Sequence, residues 1–122
     1  MKEIETIKIN EIEYVRKDSI GGTVKNLDGL IYAIVRTYSA GVFAGWLQEQ
    51  TGQEVILLNA RRLWQWSGAA SLSQLAVDGT SKPEDCKFPC EVSELKLLQA
   101  IEILHCTEKS KKSINEVAVW KV

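Results

Sequence analysis

At 122 residues, with 45% hydrophobic and 25% charged residues, the chain has the length and composition of one globular domain with a real core, and is too short for two. Its formal charge of -1 excludes the broad positive surface of proteins that coat nucleic acid polymers, so any anion site is local. No apolar run has the length of a membrane span, the acidic start Met1-Lys2-Glu3-Ile4-Glu5 is not a signal peptide, and an odd count of 3 cysteines is no disulfide framework; a reducing, cytosolic compartment is expected.

In chain order, Ile4 to Val15 is rich in β-branched residues and partly alternating, which predicts a strand. Gly21-Gly22 and Asn26-Leu27-Asp28-Gly29 then break the pattern, so residues 1–29 read as an arm and connector and 30–122 as the core of a single domain. Leu30 to Leu47 is an apolar, aromatic run without proline and reads as the strongest strand, with Gly41 and Gly45 marking a bulge or bend. After the polar turn Gln50 to Gln53, Glu54 to Trp66 reads as the returning strand of a long antiparallel hairpin. Leu72, Leu75 and Ala76 share one face of a short helix closed by Gly79. Ser81 to Cys90 carries both prolines and reads as loop. Glu91 to Cys106 fits helix or strand, with alternation from Ala100 favouring strand. Thr107 is an N-cap candidate for a second short helix, and Glu116 to Val122 alternates like an edge strand. The expected fold class is α+β, an antiparallel sheet centred on a long hairpin with two short helices.

No catalytic constellation emerges. His105 has no serine or carboxylate framing it as a triad base, and no phosphate-binding glycine loop is present. Cys86, Cys90, His105 and Cys106 suit zinc chemically, but adjacent strand residues point to opposite faces, so structural thiols are the better reading; no metal or cofactor is expected. The hairpin is richer, because Arg36 and Tyr38 on one strand and Arg61, Arg62, Trp64 and Trp66 on the other combine guanidinium forks with aromatic faces, as a nucleotide pocket requires. Strict alternation sets Arg62, Trp64 and Trp66 on one face and Arg61 with Leu63 on the other, so both arginines serve one site only across an interface or a bulge. The plain alternative makes the tryptophans core or interface and the arginines surface charge.

The segments Arg36 to Val42, Asn59 to Ala69 with its run Arg61-Arg62-Leu63-Trp64-Gln65-Trp66, Lys87-Phe88-Pro89-Cys90 and Ala100 to Ile103 resemble a family of small phage and prophage proteins, over roughly Val35 to Lys121. That family is similar in turn to the first type of anti-Thoeris protein. The resemblance implies a non-enzymatic sponge, in the cytoplasm of the infected bacterial host, that sequesters cyclic ADP-ribose isomers, and in some members cyclic oligonucleotides, without degrading them. It also implies self-association, as a dimer or a higher symmetric oligomer such as a hexamer. On chemical grounds the expected ligand-binding residues are Arg36, Tyr38, Arg61, Arg62, Trp64, Phe88, Lys109 and Lys112: the arginines for phosphate, the rings for stacking, the lysines to close a pocket. The runner-up is a virion or assembly component that oligomerises through the Trp-rich hairpin.

Overall fold

The computed structural model describes residues 25, 26 and 29–122; the strand expected at Ile4 to Val15 lies outside them. Its strands are β1 (Lys25–Asn26), β2 (Leu30–Thr37), β3 (Val42–Thr51), β4 (Glu54–Arg62), β5 (Val92–Leu97) and β6 (Ala100–His105), and its helices α1 (Leu72–Asp78) and α2 (Glu108–Glu116). The α+β class holds, with sheet predominant. Among the described residues, no helix is long and apolar enough to cross a membrane.

The run expected as one strand from Leu30 to Leu47 is two. The turn that divides them is short and lies between two equally apolar runs, Leu30 to Val35 and Val42 to Leu47, so the apolar pattern alone does not mark a strand end there. Backbone chemistry supplies it: Gly41 sits at φ +106, which only glycine adopts freely, and Thr37 Oγ1 donates to the Gly41 carbonyl at 2.7 Å while accepting from the Ala40 amide at 3.0 Å. Gly41 is therefore a turn residue, whereas Gly45 does mark a bulge. Ala44 pairs with Arg61 and Trp46 with Leu58, so Asn59 and Ala60 together face Gly45, and Asn59 takes the left-handed φ of 49°. A Cβ on Gly45 would lie 2.9 Å from the Ala60 Cα and Cβ.

That bulge inverts the alternation of β4. Leu57 and Ala60 point to one face of the sheet, Leu58, Arg61 and Leu63 to the other. The returning strand stops at Arg62, and Gln65 makes only an isolated bridge to Lys87.

All strand pairings are antiparallel, in the order β1-β2-β3-β4-β5, with β6 also on β2. β2 and β4 both oppose β3 and so run the same way; β5 opposes β4 and β6 opposes β2, so β5 and β6 run alike too. They form one long strand bent at Leu98-Gln99, whose first half bonds β4 and second half β2. The sheet thereby curls back on itself, enclosing Val35, Phe43, Val55, Leu57, Ala60, Leu97 and Ala100. The expected strand across Glu91 to Cys106 is present, interrupted by this corner.

The opposite face packs Tyr32, Ile34, Trp46 and Leu63 against Leu75, Ala76, Phe88, Ile114 and Val117. Ser71 caps α1 by accepting from the Gln74 amide, and Gly79, at φ +75, ends it as expected. Thr107 caps α2 by accepting from the Ser110 amide at 3.1 Å. Ser110 donates to the Leu75 carbonyl at 2.6 Å and Thr107 to that of Val77 at 2.6 Å, locking the helices together. The tail after α2 is not the expected edge strand: it makes a single parallel bridge, Val119 to Phe88, and is held at its start by the bond from Arg61 to the Val117 carbonyl.

Candidate functional site

The expected ligand residues occupy separate places. Arg61 is 3% exposed and points into the helix-covered core. Its Nε donates to the Pro89 carbonyl at 3.0 Å, Nη2 to Phe88 at 2.6 Å, and Nη1 to Ile114 at 2.9 Å and Val117 at 3.0 Å. With its donors directed at protein carbonyls, the side chain is a clamp joining β4 to the Phe88-Pro89 loop and the end of α2. It is not placed to meet a phosphate. Phe88 is fully buried, with the Arg61 guanidinium 5.5 Å from its ring centroid, so it offers no stacking surface.

Arg62, on the other face, is half-buried. Its guanidinium lies 4.5 Å from the Phe43 ring centroid and Nη1 donates to the Ala40 carbonyl, which fixes the β2–β3 turn. On that turn Tyr38 is 77% exposed. Arg36 forms an exposed 2.9 Å ion pair with Glu102 across β2 and β6. Lys109 and Lys112 line a groove of about 420 Å³ with Asp78, Thr80, Pro83, Ser113 and Glu116. Its two lysines are matched by two carboxylates, and Lys109 stands 3.8 Å from Asp78, so the groove has no net preference for an anion.

Trp64 differs from all of these. It is 61% exposed and lies nearly parallel, at 6°, to the 44% exposed Trp120, with ring centroids 6.4 Å apart. Backbone bonding holds the pair. Gln65 and Lys87 exchange amide bonds of 3.3 and 2.7 Å, and the Trp120 amide donates to the Phe88 carbonyl at 3.0 Å. The Lys87-Phe88 segment is thus the rung between the Trp64 and Trp120 segments. From it, the Lys87 ammonium lies 5.6 Å from the Trp120 ring centroid. Trp120 and Lys87 were not among the expected site residues; nothing local in the sequence links residue 120 to residue 64. Trp66 is half-buried against the helix-side core.

The thiols do not gather. Cys86 and Cys106 are buried and Cys90 is exposed, and among the described residues no group of three His, Cys, Asp or Glu side chains is arranged to hold a metal. Burial pushes the Cys106 thiol up from 9.0 to about 11, and burial, reinforced by Cys106, also raises the Tyr32 phenol.

A sequence model described as Domain of unknown function (DUF6948) matches residues 30–114. No curated protein and no solved structure matches the chain.

Proposed function

We propose that this chain, which belongs to the DUF6948 family through residues 30–114, is a non-catalytic binding protein that sequesters a small cyclic nucleotide signal intact. The carrying observation is the exposed, near-parallel Trp64–Trp120 pair with the Lys87 ammonium beside it. Every base has a π-face, and stacking on an exposed aromatic contributes about 1–3 kcal/mol per base. An ammonium within reach of the same ring supplies a point charge for a phosphate. One such contact gives modest affinity, so a sponge built on it works through repeated copies of the surface in an oligomer, in the cytoplasm of an infected host cell.

The test is capture and release. Purified protein is incubated with cyclic ADP-ribose isomers and with cyclic oligonucleotides, filtered, and heated. Depletion of the signal followed by return of the unchanged molecule supports the reading, with depletion lost in Trp64→Ala. A chemical product in the released fraction would replace it with an enzyme. Val119, next to Trp120 in the chain and also exposed, adds apolar surface to the tail and favours a second reading, a virion or assembly component. Copurification with particles and no depletion of any signal would establish that reading.

A further inference from the structure

Among the described residues, each half of the long bent strand has one edge without a strand partner. Among the described residues β5 bonds only β4, in unbroken register from Val55–Leu97 to Ala60–Val92, and no strand lies along its other side. An exposed edge without proline or bulge is a template for another strand. Residues along β5 alternate: Leu95 and Leu97 turn toward the enclosed core, while Val92, Glu94, Lys96 and the following Leu98 are exposed. Val92 and Leu98 are 46% and 62% exposed, so two large apolar side chains stand open to solvent on this edge.

We infer that two copies of this chain associate through the free edges of β5, antiparallel about a two-fold axis at Leu95. In that register Glu94 of each copy faces Lys96 of the other, and Val92 of each faces Leu98 of the other. Val92, Glu94, Lys96 and Leu98 on the solvent face then each meet a complement, twice over, as an isologous interface requires, while Ser93 faces Leu97 on the core side. Registers shifted by one residue in their centre do worse. Centring on Glu94 sets that carboxylate against its own copy; centring on Lys96 opposes two ammonium groups and places Glu94 against Leu98. The charge pattern thus selects one pairing. A groove of about 480 Å³ between the β2–β3 turn and Lys96 to Gln99 lies at the end of this edge, where the Val92 end of the second copy arrives. In the single chain Lys96 stands 3.7 Å from Glu54 with both side chains more than half exposed, so the contact leaves it open to a further partner. The pairing adds the two sheets into one continuous antiparallel surface.

This inference does not depend on any ligand, and its test uses none. Sedimentation equilibrium of the full chain across a concentration series is expected to show twice the monomer mass. Glu94→Lys gives an edge with two lysines and Lys96→Glu an edge with two glutamates. Each variant alone is expected to dimerise roughly tenfold or more weakly, since both copies of the pair become repulsive. Mixed in equal amounts, the two variants are expected to regain the dimer, because opposite edges now meet. Circular dichroism of each variant confirms that it is folded before mixing; if Lys96→Glu fails that check through repulsion from Glu54, the double Lys96→Glu, Glu54→Lys chain takes its place. A wild-type chain that stays monomeric, single variants that dimerise as the wild type does, or a mixture that stays monomeric would each overturn the proposed interface.

Discussion

Arg61 and Trp64 stand three residues apart, and the regions around them are opposites. At Arg61 a charged side chain is wholly enclosed and directed at carbonyls from Phe88, Pro89, Ile114 and Val117. At Trp64 a large apolar ring is held open to solvent beside Trp120. Each inverts the usual distribution of polar and apolar groups, but only the first inversion is explained by the fold. The guanidinium spreads its donors over four carbonyls, two of which, Phe88 and Ile114, accept a backbone amide as well, and a buried charge is tolerated when its donors are satisfied in this way. The exposed indole ring has no such internal account, which is why function is sought there.

Substitutions that separate stability from binding test this contrast. The largest effect is expected for Arg61→Ala, which strips donors from four carbonyls and detaches the tail from the sheet: a loss of about 3–5 kcal/mol in denaturant unfolding. Arg61→Lys is expected to recover little of it, because one ammonium cannot reproduce the spread of the fork. If Arg61→Ala instead kept its stability and lost only ligand capture, the arginine would belong to the site. Gly45→Ala comes next, since its Cβ would meet Ala60 across the bulge, and about 1–3 kcal/mol of destabilisation is expected by thermal melting. Trp64→Ala should shift stability by less than about 1 kcal/mol, as for other surface changes, while abolishing capture in the filtration assay. A large loss of stability there would make the stack structural.

The remaining effect appears only at high pH. The thiol of Cys106 is raised by burial to about 11, above its ordinary 9.0, so the folded protein keeps a proton that the unfolded chain releases. Its contribution to stability is complete below about pH 9 and is lost as pH rises toward 11, and the raised Tyr32 phenol acts in the same direction. Denaturant midpoints in this window are expected to fall less steeply with pH in Cys106→Ser than in the parent chain.

The sequence made the helices legible through their ends: Thr107 and Gly79 are where capping chemistry required them. It also separated Arg61 from Arg62, because alternation puts neighbours on opposite faces. Which of the two is buried was not legible. That depends on the bulge opposite Gly45, where one extra residue reverses the parity of β4. The division of the Leu30 to Leu47 run was hidden for a related reason, since the chain is as apolar after the turn as before it. Phe88 looked like a loop aromatic because two prolines flank its segment; only the fold shows that this loop closes over the core. The pairing of Trp64 with Trp120 depends on a rung supplied by Lys87-Phe88, a contact among three distant segments that no local pattern encodes.

The bent strand of β5 and β6 has a consequence for synthesis. Among the described residues a ribosome delivers β1 to β4 first, as a meander in which β1 covers only Leu30 and Ile31 of the β2 edge, and one late segment, Val92 to His105, covers the rest of that edge and the edge of β4. Until it emerges, the nascent chain presents open edges that invite pairing with other chains. Chains released before Val92 are therefore expected to aggregate rather than form a smaller stable domain, and folding to wait on the last quarter of the polypeptide.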